Sequence, residues 1–555
     1  MSTSGQLAER DGGASIEAPL LEIRDLRVEG QAGDRWQEIV RGIDLTLERG
    51  EVLGLIGESG AGKSTIGLAA LGYARPGCRI TGGSIKFVGM DLARIGEGAK
   101  RALWGSRLAY VAQSAAASFN PAHKLIDQCV EAPVDHRLMS AAEARRNTVD
   151  LFRRLRLPDA DQFGFRYPHQ VSGGQLQRAM TAMAMASRPD LIVFDEPTTA
   201  LDVTTQIEVL AAIKSVVRQF QTAAIYITHD LAVVAQMADR VMVLRHGKLV
   251  EEAPTRTMLA APQQAYTKSL WAVRALRKEA VPGGEILLKL EAVDAGYGGF
   301  KVLHGIALEV PRARTVAVVG ESGSGKSTLA RVITGLLPPL SGKITFDRSE
   351  LPRRLGDRRG ALLRRIQMIY QMPDTALNPR RRVRDILGRP LERHLALRGA
   401  ARDRRIVELL EMIELGAHFL DRYPNELSGG QKQRICIARA LAIEPDLVIC
   451  DEVTSALDQL VAEGILKLLL RLQRELNVSY LYITHDLATV KAIADWIVVM
   501  HQGRIVQQGP KDSVLRPPHH PYTGLLLSSV PEMRTDWLDE VLARRDRPDE
   551  EPRSD

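Results

Sequence analysis

The sequence contains the same ordered set of motifs twice, and this internal repeat limits the possible folds more than any other feature. The segment GESGAGKST begins at Gly57 and is followed by VSGGQLQR, LIVFDE and YITHDLA; GESGSGKST begins at Gly320 and is followed by LSGGQKQR, LVICDE and YITHDLA. From SGGQ to the histidine the spacing is identical in both copies. The chain therefore encodes one unit twice, with a core of fixed length and an inserted lobe that tolerates changes in length.

The repeat and the composition around it divide the chain into five predicted segments. The stretch between the copies has a short helical pattern and ends in the helix-breaking residues Pro282, Gly283 and Gly284. The last eleven residues, RDRPDEEPRSD, predict a solvated tail. We expect an N-terminal tail, a first domain, a helical extension with a linker, a second domain, and a C-terminal extension with a tail, at residues 1–18, 19–253, 254–285, 286–509 and 510–555.

Short apolar runs in both copies predict an α/β fold. LGLIG, LIVFD, VAVVG and LVICD alternate with helix-like stretches, and runs that are apolar on both faces are typical of buried, mostly parallel strands. VMVLRHGKLVEEA and IVVMHQGRIVQQG each predict a hairpin with a glycine-containing turn. Each domain is therefore expected to have a layered α/β core.

Composition excludes several classes of protein. With 25% charged and 45% hydrophobic residues, the chain is not disordered, collagen-like or coiled-coil. A formal charge of +7 over 555 residues is too small to indicate nucleic-acid binding. The start of the chain does not resemble a signal peptide and no apolar run is long enough for a spanning helix, so we expect a protein that is neither secreted nor membrane-spanning. The cysteines, which show no metal or redox spacing, are Cys78, Cys129, Cys436 and Cys450.

The glycine-rich segments match the phosphate-binding pattern G-x-x-x-x-G-K-[ST] between a strand and a helix. Glycines let backbone N–H groups turn towards phosphate oxygens at the positive end of the helix. Lys63 and Lys326 would reach the β- and γ-phosphates of ATP, and Ser64 and Ser327 would ligate Mg²⁺. Two matches in one chain argue against an ordinary glycine-rich turn. The predicted phosphate-binding residues are Gly57, Gly60, Gly62, Lys63, Ser64, Thr65, Gly320, Gly323, Gly325, Lys326, Ser327 and Thr328.

Two carboxylates end a predicted buried strand in each copy, and neighbouring residues on a strand point in opposite directions. Asp195 and Asp451 are predicted Mg²⁺ partners. Glu196 and Glu452 are predicted to orient and deprotonate the attacking water. An isolated Asp-Glu pair after a strand is usually a surface turn, but its fixed distance from SGGQ in both copies favours the functional interpretation.

On these motifs the chain resembles a fused pair of ATP-binding-cassette (ABC) ATPase domains over nearly all of residues 19–530. SGGQ after a phosphate-binding loop is the signature of that family. The resemblance implies two tandem P-loop (RecA-like) nucleotide-binding domains, each with an antiparallel β-lobe and a helical lobe, packed head to tail. The signature of one half would close over the ATP held by the loop of the other: Ser428, Gly429 and Gly430 over Lys63, and Ser172, Gly173 and Gly174 over Lys326.

The resemblance also implies roles for smaller motifs. Gln113 and Gln371 would sense Mg²⁺ and water and link each core to its helical lobe, and His229 and His485 would hold the γ-phosphate. Asp202 and Asp458 match the loop that communicates between the halves. An isolated Gln or His at a strand end is usually unremarkable, but its position in the repeat favours these roles. Stacking on adenine is expected from Tyr297 in the second half and from Trp36 in the first, where capping of the β-lobe is the alternative.

Within the family, the chain is similar to the oligopeptide, dipeptide and nickel importer group, and to its fused members in glutathione or microcin C type peptide importers. The supporting segments are FNP and LNP after the loop glutamines, HPYTGLLLSSVPEM near the end, and its partial copy QQAYTKSLWAV. Because no cysteine follows Cys450, we predict no iron–sulfur cluster of the kind some members carry. Val171 and Val453 replace the usual Leu and Pro, yet neither carries out chemistry, so we expect two competent ATP sites.

The resemblance implies an ATPase, dependent on Mg²⁺, that powers an importer for peptides or similar small solutes. Its partners would be two integral-membrane permease subunits and, through them, an extracytoplasmic substrate-binding protein, without nucleic acid. Its place would be peripheral, on the cytoplasmic face of the inner membrane. Phe119, Asn120 and Asn378 are expected to line clefts that receive permease helices; alternatively, these tripeptides merely end a strand and start a helix. An arginine-dense stretch in the second half is a solvated face or a contact with anionic headgroups.

Two other classes share such ATP sites. A twin-cassette factor acting on the ribosome would carry a long charged helical linker, whereas this linker is short and contains helix breakers. A DNA-repair or chromosome-structuring ATPase would need coiled-coil or zinc-binding insertions, and neither heptads nor paired cysteines occur.

Overall fold

The apolar runs of both copies form the central strands of parallel sheets. In the computed structural model, all six residues of the strand before Gly60 and all five residues of the strand before Ser322 are buried. The structure describes residues 18–198, 201–272, 276–281, 283–455 and 457–545. Residues 1–17 of the predicted N-terminal tail, Pro282 of the predicted hinge and residues 546–555 of the predicted C-terminal tail lie outside the described residues.

The first half begins at its β-lobe and ends with two short helices. Its strands are β1 Leu21–Ala32, β2 Arg35–Leu47, β3 Val52–Gly57, β4 Cys78–Phe87, β5 Met90–Asp91, β6 Leu108–Val111, β7 Leu191–Asp195, β8 Ala223–Ile227, β9 Arg240–Arg245 and β10 Lys248–Pro254. Its helices are α1 Lys63–Ala70, α2 Glu97–Leu103, α3 Ala115–Ser118, α4 Leu125–Asp135, α5 Ala141–Arg154, α6 Ala160–Phe163, α7 Gly173–Met185, α8 Val203–Phe220, α9 Leu231–Met237, α10 Thr255–Ala260 and α11 Ala265–Ala272.

The second half repeats this order, except that a 3₁₀ helix at Ala417–Phe419 replaces α6 and one further helix follows at the end. Its strands are β11 Ile286–Tyr297, β12 Phe300–Pro311, β13 Thr315–Val319, β14 Ser341–Phe346, β15 Ser349–Glu350, β16 Ile366–Ile369, β17 Leu447–Asp451, β18 Ser479–Thr484, β19 Trp496–His501 and β20 Arg504–Pro510. Its helices are α12 Lys326–Thr334, α13 Ala361–Arg365, α14 Pro373–Ala376, α15 Val383–Leu395, α16 Gly399–Met412, α17 Gly429–Leu441, α18 Gln459–Leu476, α19 Leu487–Ile493, α20 Lys511–Val514, α21 Pro521–Ser528 and α22 Trp537–Arg545.

Each half has one parallel core sheet and one antiparallel sheet. The core sheets have the orders β10-β9-β3-β8-β7-β6 and β20-β19-β13-β18-β17-β16, with every pairing parallel except the edge hairpin. The antiparallel β-lobes have the orders β2-β1-β4-β5 and β12-β11-β14-β15. The predicted α/β fold, its buried parallel strands and both hairpins are confirmed.

The phosphate-binding loops lie at the carboxyl ends of the middle strands β3 and β13, between each strand and its helix. The carboxylate pairs follow β7 and β17, and the histidines follow β8 and β18, at the same edge of each sheet. Parallel strands bring their carboxyl ends together, so motifs that are far apart in sequence converge there. In the described part of the chain, no helix combines the length and the apolar character needed to cross a membrane.

Each segment that follows a domain has a part that packs against the opposite half. Lys278, in the linker, donates to Gln473 and Asp495 of the second half, at 2.8 and 2.5 Å. In the other direction, Trp537 and Leu538 of α22 are buried in the core of the first half. The extensions therefore cross over between the halves and hold them together.

Helix α22 is fixed on the first half by polar contacts as well as by its apolar face. The Gln236 amide donates to the carbonyl oxygens of Glu532 and Arg534, at 2.9 and 2.6 Å, and its oxygen accepts from the Leu538 N–H, at 2.9 Å. Lys214 also forms an ion pair with Asp539 at 3.0 Å. Every polar group of the Gln236 side chain is thus used to dock the end of the chain.

Replacing Trp537 by alanine is expected to cost about 3 to 5 kcal/mol of stability, because a large buried ring leaves a cavity. Thermal unfolding should show a lowered midpoint, and limited proteolysis should release the C-terminal segment. Arg544→Ala on the same helix, where the side chain is 79% exposed, is the matched control and should melt like the unchanged protein. Equal melting of the two variants would show that α22 is not docked as described.

Candidate active site

Both glycine-rich loops open into one cavity of about 1060 Å³ between the halves. Its wall contains lysines, serines and glycines of the two loops together with acidic, amide and imidazole side chains from both halves. Predicted site residues in the wall are Gly60, Gly62, Lys63, Ser64, Thr65, Gln113, Asp195, Glu196, Asp202, His229, Gly323, Gly325, Lys326, Ser327, Thr328, Gln371, Glu452, Asp458 and His485. The structure therefore brings most of the predicted residues into one space large enough for nucleotides.

The first loop has a conformation that requires glycine. Gly57 has φ 147°, and a Cβ there would lie 2.2 Å from the Leu244 carbonyl oxygen. Gly62, at φ 94°, caps the N-terminus of α1, whereas a Cβ at Gly60 would meet nothing within 4 Å. The loop thus leaves room on its inner side, where α1 directs its free N–H groups.

Lys63 is folded back over its own loop. Its ammonium donates to the carbonyl oxygens of Gly57 and Glu58, at 2.8 and 2.9 Å. Burial lowers the pKa of Lys63, and the nearby carboxylates of Glu196 and Asp458 oppose that shift. A buried cation with only carbonyl partners is suited to an incoming anion.

The second loop repeats this geometry closely. Gly320 has φ 155°, and a Cβ there would lie 2.2 Å from the Met500 carbonyl oxygen. Lys326 donates to the carbonyl oxygens of Gly320 and Glu321, at 2.8 and 2.7 Å. Burial also lowers the pKa of Lys326, against the carboxylates of Glu452 and Asp451. The two loops therefore share the same backbone geometry, and in the second loop Lys326 also donates to Ser324 Oγ at 3.4 Å, where the first loop has Ala61.

The serine and aspartate predicted to share a metal ion lie together in each half. Ser64 Oγ donates to Asp195 Oδ1 at 2.8 Å, and Ser327 Oγ donates to Asp451 Oδ1 at 3.3 Å. Burial raises the pKa of Asp451, although the Ser327 hydrogen bond opposes this. A hydroxyl beside a carboxylate at the mouth of a phosphate-binding loop is an oxygen-only donor set, which suits Mg²⁺.

The prediction that both carboxylates of each pair are strand residues is wrong for the glutamates. Strand β7 ends at Asp195 and β17 ends at Asp451, and Glu196 and Glu452 adopt left-handed φ values of 49° and 50°. Their N–H groups still donate to the neighbouring strands, at 2.9 and 3.0 Å. The turn at the glutamate, not strand alternation, therefore separates the two carboxylates.

An amide and an imidazole flank each glutamate. Gln113 donates to Glu196 at 2.9 Å, and Glu196 lies 3.2 Å from His229 Nδ1. Burial lowers the pKa of His229, but the hydrogen bond and charge of Glu196 outweigh burial, so the net shift is upward. These three side chains from three separate strand ends form one polar cluster facing Lys63.

The second half contains the same cluster. Gln371 donates to Glu452 at 2.8 Å, and His485 Nδ1 lies 3.3 Å from Glu452. Burial lowers the pKa of His485, and Glu452 again produces a net rise. Burial raises the pKa of Glu452, but His485 outweighs it and the net shift is downward.

One contact in the first site could not be predicted from the motifs. Tyr110 donates to Asp195 Oδ2 at 2.7 Å, and Arg75 lies 3.5 Å from the same oxygen. The residue at the Tyr110 position in the second half is Met368, which has no hydroxyl. Comparing LAYVAQ with IQMIYQ would have revealed this difference between the copies.

The signature residues start helices α7 and α17. Ser172 and Ser428 cap these helices, each accepting from the N–H of the glutamine three residues later, at 3.3 Å. A Cβ at Gly174 would lie 2.1 Å from Thr205 Cγ2, so this glycine permits close packing on α8. A Cβ at Gly173 would meet nothing within 4 Å, which leaves the first turn accessible. The signature residues themselves are not part of the cavity wall.

Contacts between the halves are crossed at the loops. Burial lowers the pKa of Lys63, and the charge of Asp458, in the second half, opposes that shift. Burial likewise lowers the pKa of Lys326, and the charge of Asp202, in the first half, opposes it. Thr204 Oγ1 also lies 2.6 Å from Glu321 Oε1. Each phosphate-binding loop therefore faces the other half.

The two predicted adenine-stacking residues lie on the β-lobes, outside the cavity wall. Tyr297 is 42% exposed and accepts from Arg331 at 3.0 Å. Trp36 is 41% exposed and has the Arg79 guanidinium 4.1 Å from its ring centre. Stacking on adenine stays a prediction for both.

The expectation that Phe119 lines a cleft is wrong, because this side chain is 4% exposed and belongs to the core of the first half. Asn120 and Asn378 are exposed, and each accepts from the N–H two residues later, at 3.0 Å. These tripeptides therefore form turns between helices, and the aromatic residue anchors the first turn.

The fold and this site define a class of protein: an ATPase with two P-loop domains around one nucleotide cavity. The family model for the ABC transporter matches residues 40–199 and 303–455. The chain belongs to the ABC transporter family, so the predicted family and the predicted ATPase activity are confirmed. A second model, the C-terminal region of oligopeptide/dipeptide transporters, matches residues 506–554.

Similar proteins cover almost the whole chain. The glutathione import ATP-binding protein GsiA of Pectobacterium atrosepticum is 36% identical over 93% of this chain and 90% of its own length. The peptidoglycan transport ATP-binding protein YejF of Agrobacterium fabrum is 37% identical over 92% of this chain and 96% of its own length. A solved complex of the archaeal ribosome recycling factor aABCE1 with the stalk protein aP1 aligns over 88% of this chain and 90% of its own, with a TM-score of 0.60 and 20% identity. That last likeness shows the fold alone.

Proposed function

We propose that the chain is the ATP-hydrolysing subunit that powers an importer of peptides or similar small solutes. The observation that carries the proposal is the single cavity in which both phosphate-binding loops face both carboxylate clusters. A site shared between two halves makes the nucleotide part of their interface. Binding and hydrolysis of ATP then change the separation of the halves, which is a movement that a membrane partner can use.

Each ATP would be bound by a loop of one half. Lys63 and Lys326 would exchange their carbonyl partners for the β- and γ-phosphates, while the N–H groups at the start of α1 and α12 cradle the oxygens. Glu196 and Glu452 would orient the attacking water, each fixed between its glutamine and its histidine. The hydrogen bonds at 2.8–3.3 Å within both clusters support these assignments.

Magnesium is the metal that the donor set fits. Ser64 with Asp195, and Ser327 with Asp451, would hold it, with Gln113 and Gln371 close by. The ion supplies neutralisation of the phosphate charge when it is bound. The matched serine–aspartate pairs in the two halves support one ion at each ATP.

The head-to-tail arrangement is proposed for both ATP sites. The crossed positions of Asp458 near Lys63 and of Asp202 near Lys326 support it. The uncovered space at Gly173, at the start of α7, supports contact of the signature with a phosphate once the halves close. Ser428, Gly429 and Gly430 would then serve the Lys63 site, and Ser172, Gly173 and Gly174 the Lys326 site.

The proposed partners are two integral-membrane permease subunits and, through them, an extracytoplasmic substrate-binding protein. The chain would be peripheral, on the cytoplasmic face of the inner membrane. Similarity to GsiA and YejF over more than nine-tenths of this chain, and the match at residues 506–554, favour import over action on the ribosome. The ribosome alternative has support only from a likeness in fold.

Purification from native membranes in mild detergent tests this assignment. We expect two permease-like proteins to copurify with the chain, together with ATP hydrolysis that depends on Mg²⁺. The Lys63→Ala and Lys326→Ala double variant is the matched control and should keep the partners while losing hydrolysis. Sedimentation with ribosomes and not with membranes would contradict the transport assignment.

A further inference from the structure

Two tyrosines in the segments that follow the domains contact the phosphate-binding loops, and none of the roles proposed above uses them. Tyr266 on α11 and Tyr522 on α21 occupy the same place in QAYTKSL and HPYTGLL. Their exposed fractions are only 9% and 7%. Recurrence in both halves indicates a shared task beyond the packing of one helix.

In the first half the Tyr266 hydroxyl is linked to the loop lysine through one residue. The Glu58 N–H donates to Tyr266 Oη at 3.3 Å, and the Glu58 carbonyl accepts from Lys63 Nζ at 2.9 Å. The tyrosine therefore fixes the outer side of the loop at the residue that also carries the lysine contact. Removing the hydroxyl would therefore affect the conformation of the loop directly, through Glu58.

The second half has the same chain of contacts. The Glu321 N–H donates to Tyr522 Oη at 3.0 Å, and the Glu321 carbonyl accepts from Lys326 Nζ at 2.7 Å. The Glu321 side chain in addition lies 2.6 Å from Thr204 Oγ1 of the other half. One loop residue thus connects the trailing helix, the lysine and the opposite half.

Packing holds both rings in place. The Arg245 guanidinium lies 4.6 Å from the Tyr266 ring centre, and the His501 ring lies 3.9 Å from the Tyr522 ring. Burial raises the pKa of each phenol to about 12, so both hydroxyls stay protonated at neutral pH. A neutral hydroxyl accepts from the loop N–H without adding charge near the proposed phosphate site.

The trailing helices also touch the opposite half. Tyr522 and Leu526 share an apolar cluster with Val203, the first residue of α8. Helix α11 correspondingly contacts α18 of the second half. Each trailing helix therefore lies between the phosphate-binding loop of its own half and a helix of the other half.

We propose that Tyr266 and Tyr522 are positioning residues that hold their own phosphate-binding loops in the conformation that accepts ATP. This inference rests on the proposed function, because it takes Lys63 and Lys326 as the two ATP sites. It gives the segments after the domains a direct part in nucleotide affinity, in addition to joining the halves.

Tyrosine-to-phenylalanine variants test the inference, because they remove only the hydroxyl. Binding of trinitrophenyl-ATP with Mg²⁺ is measured in full-length protein in which one loop lysine is replaced by alanine. With Lys326→Ala, which leaves the Lys63 site, Tyr266→Phe should raise Kd by about 3- to 10-fold and Tyr522→Phe should leave it unchanged. With Lys63→Ala the two effects should exchange.

Tyr480→Phe is the matched control. Tyr480 is a buried tyrosine whose hydroxyl donates to the Leu469 carbonyl, at 3.2 Å, in the core of the second half, away from the loop. The Tyr480→Phe variant should change the melting temperature without changing Kd. This result separates a hydroxyl with a structural role from one that positions the loop. Unchanged Kd for both loop tyrosines, or equal weakening at both sites, would overturn the inference.

The Lys63→Ala and Lys326→Ala double variant distinguishes failure of this inference from failure of the proposed ATP sites. If that variant loses nucleotide binding and the tyrosine variants leave Kd unchanged, this inference alone is overturned. Retained binding there overturns the proposed ATP sites and this inference with them.

Discussion

Replacing Glu196 and Glu452 together by glutamine is expected to preserve ATP binding and to lower the rate of hydrolysis by about 10²- to 10⁴-fold, the range for loss of a general base. Glutamine keeps the size of the side chain and its contacts with Gln113 and Gln371. It cannot accept the proton of the attacking water. Phosphate release and binding of trinitrophenyl-ATP measure the two effects separately.

Glu131→Gln together with Glu411→Gln provides the control for that variant. These glutamates are exposed on α4 and α16, one in each half. Their replacement removes the same number of charges outside the cavity wall. Hydrolysis should be normal in this pair. Turnover that survives Glu196→Gln and Glu452→Gln would remove both glutamates from the role proposed for them.

Replacing Ser428 by arginine is expected to impair hydrolysis at the Lys63 site more than at the Lys326 site. Ser428 caps α17 at the point where the signature would meet the phosphate of the opposite loop, and a long cation there blocks the approach. Losing one preorganised donor to a transition state typically costs about 10²- to 10³-fold in rate. Vanadate-trapped nucleotide, measured in Lys63→Ala and in Lys326→Ala proteins, reports each site by itself.

The matched variant is Ser172→Arg, which should show the opposite preference, because Ser172 caps α7 in the other half. Equal loss at both sites from either substitution, or a loss at the Lys326 site alone from Ser428→Arg, would be incompatible with the head-to-tail arrangement. A general folding defect is recognised by a lowered melting temperature and by loss of binding at both sites.

Local patterns in the sequence were sufficient to predict the parallel core strands and the phosphate-binding loops, whereas the antiparallel β-lobes were implied only by the family resemblance. Strand β3 is apolar at every position and Gly57 needs a conformation without Cβ, so a short stretch of sequence already contains the cause of the structure. The repeat then identified the residues at the carboxyl ends of the strands. The positions of Lys63 and Glu196 in one cavity follow from the parallel order of those strands.

Other features depend on contacts between distant parts of the chain. Glu196 adopts a left-handed φ of 49° directly after the strand although its N–H still donates to a neighbouring strand, and the burial of Phe119 arises from packing in the core of the first half. The docking of Trp537 on the first half depends on a surface more than 300 residues earlier in the sequence. No local period in the sequence encodes such a pairing, so these features appeared only in three dimensions.

The contacts of Asp195 make the two proposed ATP sites chemically different. Tyr110 and Arg75 both reach this carboxylate, whereas Asp451 in the second half has Ser327 as its hydrogen-bond partner. Equal competence of the two sites was expected from the motifs and stays a prediction. The sequence difference at Tyr110 and Met368 identifies where an inequality would originate.

Because α22 is anchored on the first half, the two cassettes would remain neighbours after each round of the proposed cycle of ATP binding and hydrolysis. Reclosure is then an intramolecular event with an effective concentration on the order of millimolar, and its rate is independent of the number of copies in the cell. Separate homologous subunits would instead have to find one another and could pair with the wrong partner. Because both nucleotide-binding domains belong to one chain, they are always present in equal numbers.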